Sequence, residues 1–352
     1  MVHLRHFFAR PIVRILLGII VAGVVFTVLF HSRSELAFAL DRLRTLRFGW
    51  MLLAGLAEFL SVVSYALLQR KLLNVSGSRI RLRFLMSITL ATDAIADSLP
   101  GEPVFSSAFR FAQYRRHGVD AANATWVMVT VLVALALGLS VLALLGLLIS
   151  LIFGGQHGSA ELGVLAVIVL VVMVTVLTRV SLWLRVIDWS LRISQHLPLR
   201  LRSRFQPALL RSRALLGDIH VGVFDSLIIG LLGVAEWGFD LGCLILVFPA
   251  LGLSIPWTSV ILGYAASQIV GVIPITPGGL GTIEGSLSAV LIAFGTLARH
   301  AITGVLVYRF ISYWLMIPIG WIAFALIRIN SRRERKQPSE ISDQQPSDNH
   351  KV

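Results

Sequence analysis

Apolar residues run almost without interruption over 12–30, 48–68, 121–153, 162–183, 221–248 and 301–327. Each run approaches or passes the roughly 20 residues that a helix needs to cross the hydrocarbon of a bilayer. The runs are continuous rather than alternating, so they predict spanning helices and not barrel strands. Two further stretches are apolar but broken. The first, 84–99, carries Asp93 and Asp97 and ends at Pro100-Gly101. The second, 257–295, is interrupted by PITPGGLGTIEG at 274–285. The pattern predicts an all-α polytopic membrane protein with about six full spans plus two broken or re-entrant segments, about eight hydrophobic segments in all.

Composition agrees with the pattern. The 352 residues are 56% hydrophobic and 14% charged, with a mean hydropathy of +0.83. A water-soluble domain of this composition would lack a polar exterior. The net charge of +13 raises nucleic acid as a partner, but the basic residues sit in short loops between apolar runs. There they report topology and attract anionic headgroups. No nucleic-acid partner is therefore expected. Cys243, the one cysteine, lies in an apolar run and offers neither a disulfide nor a metal cluster.

With the N-terminus in the cytoplasm, 25 of the 31 Lys and Arg residues fall on the inner side. This predicts cytoplasmic N- and C-termini and an uncleaved first span. Segments 70–83 and 110–116 both belong inside, so the first broken stretch enters and leaves on one face. By the same bookkeeping the second enters and leaves outside. Irregular backbone at membrane depth must be buried in protein or line a wet cavity. Both breaks are thus expected to face an internal cavity.

Pro100-Gly101 and Pro277-Gly278 stand 177 positions apart, as do Gly118 and Gly295. That offset suggests an inverted repeat, with halves at about 1–176 and 177–329 of one transmembrane domain. Paired interrupted segments of this kind point to a substrate site near the midplane. The Arg-rich stretch 181–217 reads as a cytoplasmic linker with an interfacial part. Residues 330–352 read as a disordered cytoplasmic tail.

Gly278, Gly279 and Gly281 permit a tight turn that opens a half-helix, whose N–H groups and dipole favour an anion. Glu284 falls in the first turn, either capping that helix or acting in a site. Arg309 lies deep in the last run and must meet a carboxylate, a carbonyl or water. Glu284 is its proposed partner; a lipid phosphate is the proposed ligand. Asp97, Glu102 and Arg110 flank the first break as candidates for the opposite wall, with a solvated loop as the alternative for Glu102 and Arg110. Glu58, Asp225, Glu236 and Asp240 lie at or near membrane depth. The last three could form an inward stripe that relays protons or only hydrates a cavity. The Gly-rich run follows no strand, and HExxH, P-loop and GxSxG motifs are absent. No enzyme activity, metal or cofactor is expected.

PITPGGLGTIEGSLSAVLIAFG followed by YRFISYW resembles the C-terminal signature of the flippase-like membrane family that includes the transmembrane part of lysylphosphatidylglycerol synthase. SLPGEPVFSSAFRFAQYRRHG resembles the family's first break, departing from the commoner form at Pro103 and Phe109. The likeness covers roughly residues 10–328. It implies movement between leaflets of a phospholipid or polyprenyl-linked lipid with an anionic or phosphate headgroup, in a bacterial plasma membrane. The synthases also carry a cytosolic aminoacyl-transfer domain. Only a short polar segment follows Ile329 here, so synthase activity is not expected. Two other readings stay open: an ion-coupled small-solute transporter, and a non-transporting scaffold for a cytosolic lipid-modifying enzyme.

Overall fold

In a bilayer every backbone N–H and C=O must find its partner inside the chain, and long apolar segments do so as helices. The structure, a computed structural model, describes residues 46–99, 102–153, 222–271 and 277–342. Among these residues the regular elements are all helices. In chain order they are α1 (Phe48–Val75), α2 (Leu82–Ser98), α3 (Glu102–Arg116), α4 (Ala121–Phe153), α5 (Val223–Ala250) and α6 (Trp257–Gly271). A 3₁₀ turn at Pro277–Gly279 follows, then α7 (Thr282–Ala293) and α8 (Ala298–Arg309). A π-helical turn at Phe310–Trp314 leads into α9 (Met316–Ser342).

Among the described residues, four helical stretches are long and apolar enough to cross a membrane: Phe48–Val75, Ala121–Ile149, Val223–Ala250 and Ala298–Asn330. Their polarity is inverted relative to a soluble bundle. Leu52, Leu56 and Phe59 on α1, and Phe224, Leu227 and Leu231 on α5, are exposed, whereas Glu58, Ser61, Ser64 and Gln69 on α1 are buried. Water would not tolerate that apolar exterior. The protein is an integral membrane protein. The expected spans at 12–30 and 162–183, the 181–217 linker, Pro100-Gly101 and residues 343–352 lie outside the described residues.

Both broken stretches are pairs of short helices packed on each other, α2 with α3 and α6 with α7. At the C-terminus the α9 backbone runs as helix to Ser342. Arg, Glu, Lys and Gln in this stretch are good helix formers, and extending an existing helix avoids the cost of nucleation.

Two apolar clusters divide the bundle along its length. One joins Ala54 and Ala57 of α1 to Leu244 and Phe248 of α5, Leu287 of α7 and Val305 of α8. The other joins Leu68 and Leu72 of α1 to Leu85 and Ile88 of α2, Val127 of α4 and Ile327 of α9. Glu58 and Ser61 of α1 and Glu236 and Asp240 of α5 fall between these clusters, at mid-length. The loops after α1 and α3 meet at one end, where Asn123 Nδ2 donates to the Ser76 carbonyl (3.1 Å). Arg79, Arg81, Arg83 and His117 surround a cleft of about 710 Å³ there. At the opposite end the Arg47 N–H donates to the Ala250 carbonyl (2.9 Å), tying the start of α1 to the end of α5.

Close helix crossings set this arrangement. Gly233 on α5 lies against Ala134 and Gly138 on α4, so closely that a Cβ on Gly233 would run into the Ala134 carbonyl. Small residues at such a contact let backbones approach and gain dispersion energy, which matters where lipid offers no hydrophobic drive. Gly233→Ala should therefore lower the midpoint of thermal unfolding in detergent, with an overpacking cost of about 1–3 kcal/mol. Gly230→Ala, where a Cβ meets nothing within 4 Å, is the matched control and should leave the midpoint unchanged or slightly raised.

Candidate functional site

The interrupted segment folds as its glycines require. Gly278, Gly279 and Gly281 have φ of 58°, 66° and 81°, in the left-handed region that other residues adopt only at a cost. Gly281 is the N-cap of α7, and Glu284 Oε2 accepts its backbone N–H at 2.6 Å. The positive end of this half-helix is thus occupied by the chain's own carboxylate. The sequence left capping and site roles open for Glu284, and the structure supplies the capping one.

The other Glu284 oxygen holds Arg309. Arg309 Nε donates to Glu284 Oε1 at 2.8 Å, and a terminal guanidinium nitrogen donates to the Gly278 carbonyl at 2.8 Å. The two side chains are 9% and 18% exposed, so the pair is shielded from water and retains most of its Coulombic strength. The guanidinium also lies over the Tyr313 ring, 4.4 Å from its centroid. Tyr313 in turn donates its hydroxyl to the Asp97 carbonyl at 2.8 Å. A Cβ on Gly278 would collide with the Tyr313 ring and crowd Asp97 Oδ1. One arginine therefore joins the second break to the last span, and Tyr313 carries the connection to the end of α2, beside the first break. The π-helical turn directly after Arg309 brings Ser312 to the same wall as Tyr308 and Arg309. Such turns recur at functional positions.

Arg309 borders a cavity of about 330 Å³ between the two apolar clusters. Five carboxylates line it: Glu58 of α1, Asp93 and Asp97 of α2, and Glu236 and Asp240 of α5. Asp240 accepts hydroxyls from Tyr264 (2.5 Å) and Tyr308 (2.9 and 3.0 Å). Glu58 and Asp240 share the wall of this cavity. Glu58 Oε2 and Glu236 Oε2 are buried without a hydrogen-bond partner. A buried, unpaired carboxylate oxygen is costly to a fold.

The structure sorts the sequence candidates. Gly278, Gly279, Gly281, Glu284, Arg309 and Asp97 converge at the junction of the two breaks. Arg110 does not line the cavity. It stands behind it, donating to the Tyr65 hydroxyl, with Asp93 at 3.8 Å. Glu102 begins α3, and its side chain lies outside the described residues. The proposed Asp225–Glu236–Asp240 stripe is corrected: Asp225 pairs with Lys71 at 2.6 Å near the start of α5, leaving only Glu236 and Asp240 in the cavity. Tyr264 and Tyr308 were not singled out from the sequence. Tyr308 stood next to Arg309 in YRFISYW, and a hydroxyl beside a membrane-depth charge was the available signal.

The family model described as the lysylphosphatidylglycerol synthase TM region matches residues 15–320. The chain belongs to that family. A UPF0104 membrane protein of Methanothermobacter thermautotrophicus is 33% identical over 100 residues, which is 28% of this chain and 30% of that protein. A UPF0104 membrane protein of Pyrococcus horikoshii is 34% identical over 86 residues, 24% of this chain and 26% of that protein. These two matches thus span less than a third of either relative. A match of lower identity, 23% over 324 residues, covers 87% of this chain and 92% of a Methanothermobacter UPF0104 protein.

The junction geometry predicts strong coupling between Glu284 and Arg309. Removing one partner of a buried ion pair costs about 3–5 kcal/mol, because the other charge is left stranded. Glu284→Gln and Arg309→Gln should each destabilise the protein, toward the lower figure because Glu284 keeps some exposure. The double variant should lose clearly less than the sum. A double-mutant cycle on thermal or denaturant unfolding reads the coupling; simple additivity would remove the pair from its linking role.

Proposed function

We propose that this protein moves a lipid between membrane leaflets, with the headgroup passing through the carboxylate-lined cavity and the acyl or prenyl chains remaining in the bilayer. The observation that carries the reading is the cavity itself. It lies at mid-length in the bundle, and among the described residues it gathers five carboxylates with one guanidinium, that of Arg309. Acidic side chains at that depth are maintained against a large desolvation cost and mark a substrate path. The imbalance refines the headgroup. A bare anion would meet net repulsion here, so the favoured cargo carries an amine beside its phosphate. Asp240, Glu58 and Glu236 would receive the ammonium, and Arg309 the phosphate.

In this reading the protein makes and breaks no covalent bond in the lipid. It sits in the plasma membrane with the Arg79–Arg81–Arg83 end toward the cytoplasm, where positive loops are retained. The α2–α3 and α6–α7 hairpins act as the inverted halves of one gate, meeting where Tyr313 reaches the Asp97 carbonyl. The cavity volume also favours a second reading, transport of a small cationic solute, since about 330 Å³ admits a headgroup or a free amine equally well.

Proteoliposomes carrying short-chain fluorescent lipids, extracted from the outer leaflet with albumin, test both. Acyl-labelled phosphatidylethanolamine should cross faster than acyl-labelled phosphatidylglycerol. Asp240→Asn should slow it about tenfold or more, the scale of one lost charged hydrogen bond of about 1.5–3 kcal/mol. Equal rates in protein-containing and empty vesicles would eliminate the lipid reading for these headgroups and favour the solute one.

A further inference from the structure

We propose that Glu58 and Asp240 form a proton-binding pair, and that an arriving ammonium group displaces its proton, so that cargo and protons cross the membrane in opposite directions. The cargo half of this statement rests on the lipid-exchange reading above; the proton site does not.

The geometry argues for the proton first. Glu58 and Asp240 line one cavity with Asp93, Asp97 and Glu236. Neighbouring charged carboxylates in a low dielectric repel each other strongly, and a proton on one of them relieves that repulsion. Glu58 is only 6% exposed. Its Oε2 is buried without a hydrogen-bond partner, and a proton on that carboxyl removes the charge that burial makes costly.

The surroundings hold one proton and discourage a second charge. Glu236, Asp93 and Arg309 line the same cavity. Tyr264 and Tyr308 donate to Asp240, whereas Glu58 Oε2 has no hydrogen-bond partner. Hydroxyl donors hold Asp240 as the ionised member, which leaves Glu58 as the proton carrier. Exchange then balances simply. The proton leaves the Glu58 carboxyl for water in the cavity, the ammonium takes its place, and the net charge of the cavity is unchanged. Release of the ammonium on the other side lets a proton return.

The link to Arg309 gives this exchange a mechanical consequence. Asp240 is held by Tyr308, the residue before Arg309, and Arg309 grips both Glu284 and the Gly278 carbonyl. A change of charge at the pair is therefore felt one residue away from the latch that joins the second break to the last span. A cavity that is neither protonated nor loaded carries an extra negative charge. That state pulls Arg309 away from Glu284, and it is the state in which the gate should not move.

Infrared spectroscopy of the purified full chain in nanodiscs tests the proton site without any transport. At neutral pH the protein should show the carbonyl stretch of a protonated carboxylic acid. Glu58→Gln should remove it, and Glu58→Asp, which restores a carboxyl and guards against a folding artefact, should return it at a shifted frequency. Absence of the band, or a band unchanged in Glu58→Gln, overturns the proposal. Transport then tests the coupling, using proteoliposomes with short-chain fluorescent phosphatidylethanolamine as the probe. Movement from the alkaline toward the acidic side should be several-fold faster than with the gradient reversed. A band with gradient-indifferent lipid movement overturns the coupling. A band with no lipid movement at all supports the proton site and overturns the lipid reading instead.

Discussion

The structure depends on how a single guanidinium is satisfied. Arg309 cannot shed its charge, and at membrane depth it must be met by fixed acceptors. It finds them in Glu284 and in the carbonyl of Gly278. Both exist at that spot only because the chain is broken there: the break frees a carbonyl and opens a helix whose first turn holds a carboxylate. The arginine and the break therefore explain each other. An unbroken helix at 257–295 would leave Arg309 without its carbonyl, and an apolar residue at 309 would leave the break unsupported. Tyr313 extends the same contact to the end of α2, so the two interrupted segments are held in one place.

Around this junction the bundle tolerates an unusual load. Carboxylates from three helices face one cavity, and two of them present buried oxygens without partners. Such groups do not stabilise a fold. They cost free energy that the apolar clusters above and below must offset. The hydroxyls of Tyr264 and Tyr308 reduce that cost at Asp240, which leaves Glu58 and Glu236 as the groups whose needs are unmet. The apolar clusters confine these groups to one space between them.

Some of this was legible in the residues. Continuous apolar runs disclosed the spanning helices because lipid allows little else. PITPGGLGTIEG disclosed a break because Gly278, Gly279 and Gly281 beside two prolines do not continue a helix. Arg309 and Glu284 stood out because ionisable groups at that depth need company, and each was the other's nearest candidate. A cavity beside the breaks was expected, but which carboxylates share it was not legible. Glu58, Asp93 and Asp240 sit in separate runs, each with a bland local context, and only packing of α1 against α2 and α5 brings them together. Asp225 shows the converse. Its spacing from Glu236 placed both on one helical face, yet Lys71 of a neighbouring helix claims it.

By itself, then, the sequence determined that this chain lives in a membrane, where four of its long apolar helices run, and where helix is interrupted at 277–281. These follow from local properties: apolar length, backbone permissiveness and the distribution of charge. Only the tertiary structure decided that the end of the half-helix is closed by Glu284 rather than left open for a ligand. It alone placed Arg110 behind Tyr65 and assembled five carboxylates around one space. Those outcomes depend on which faces of distant helices meet, and on glycine contacts such as Gly233 with Ala134 that set how closely they do.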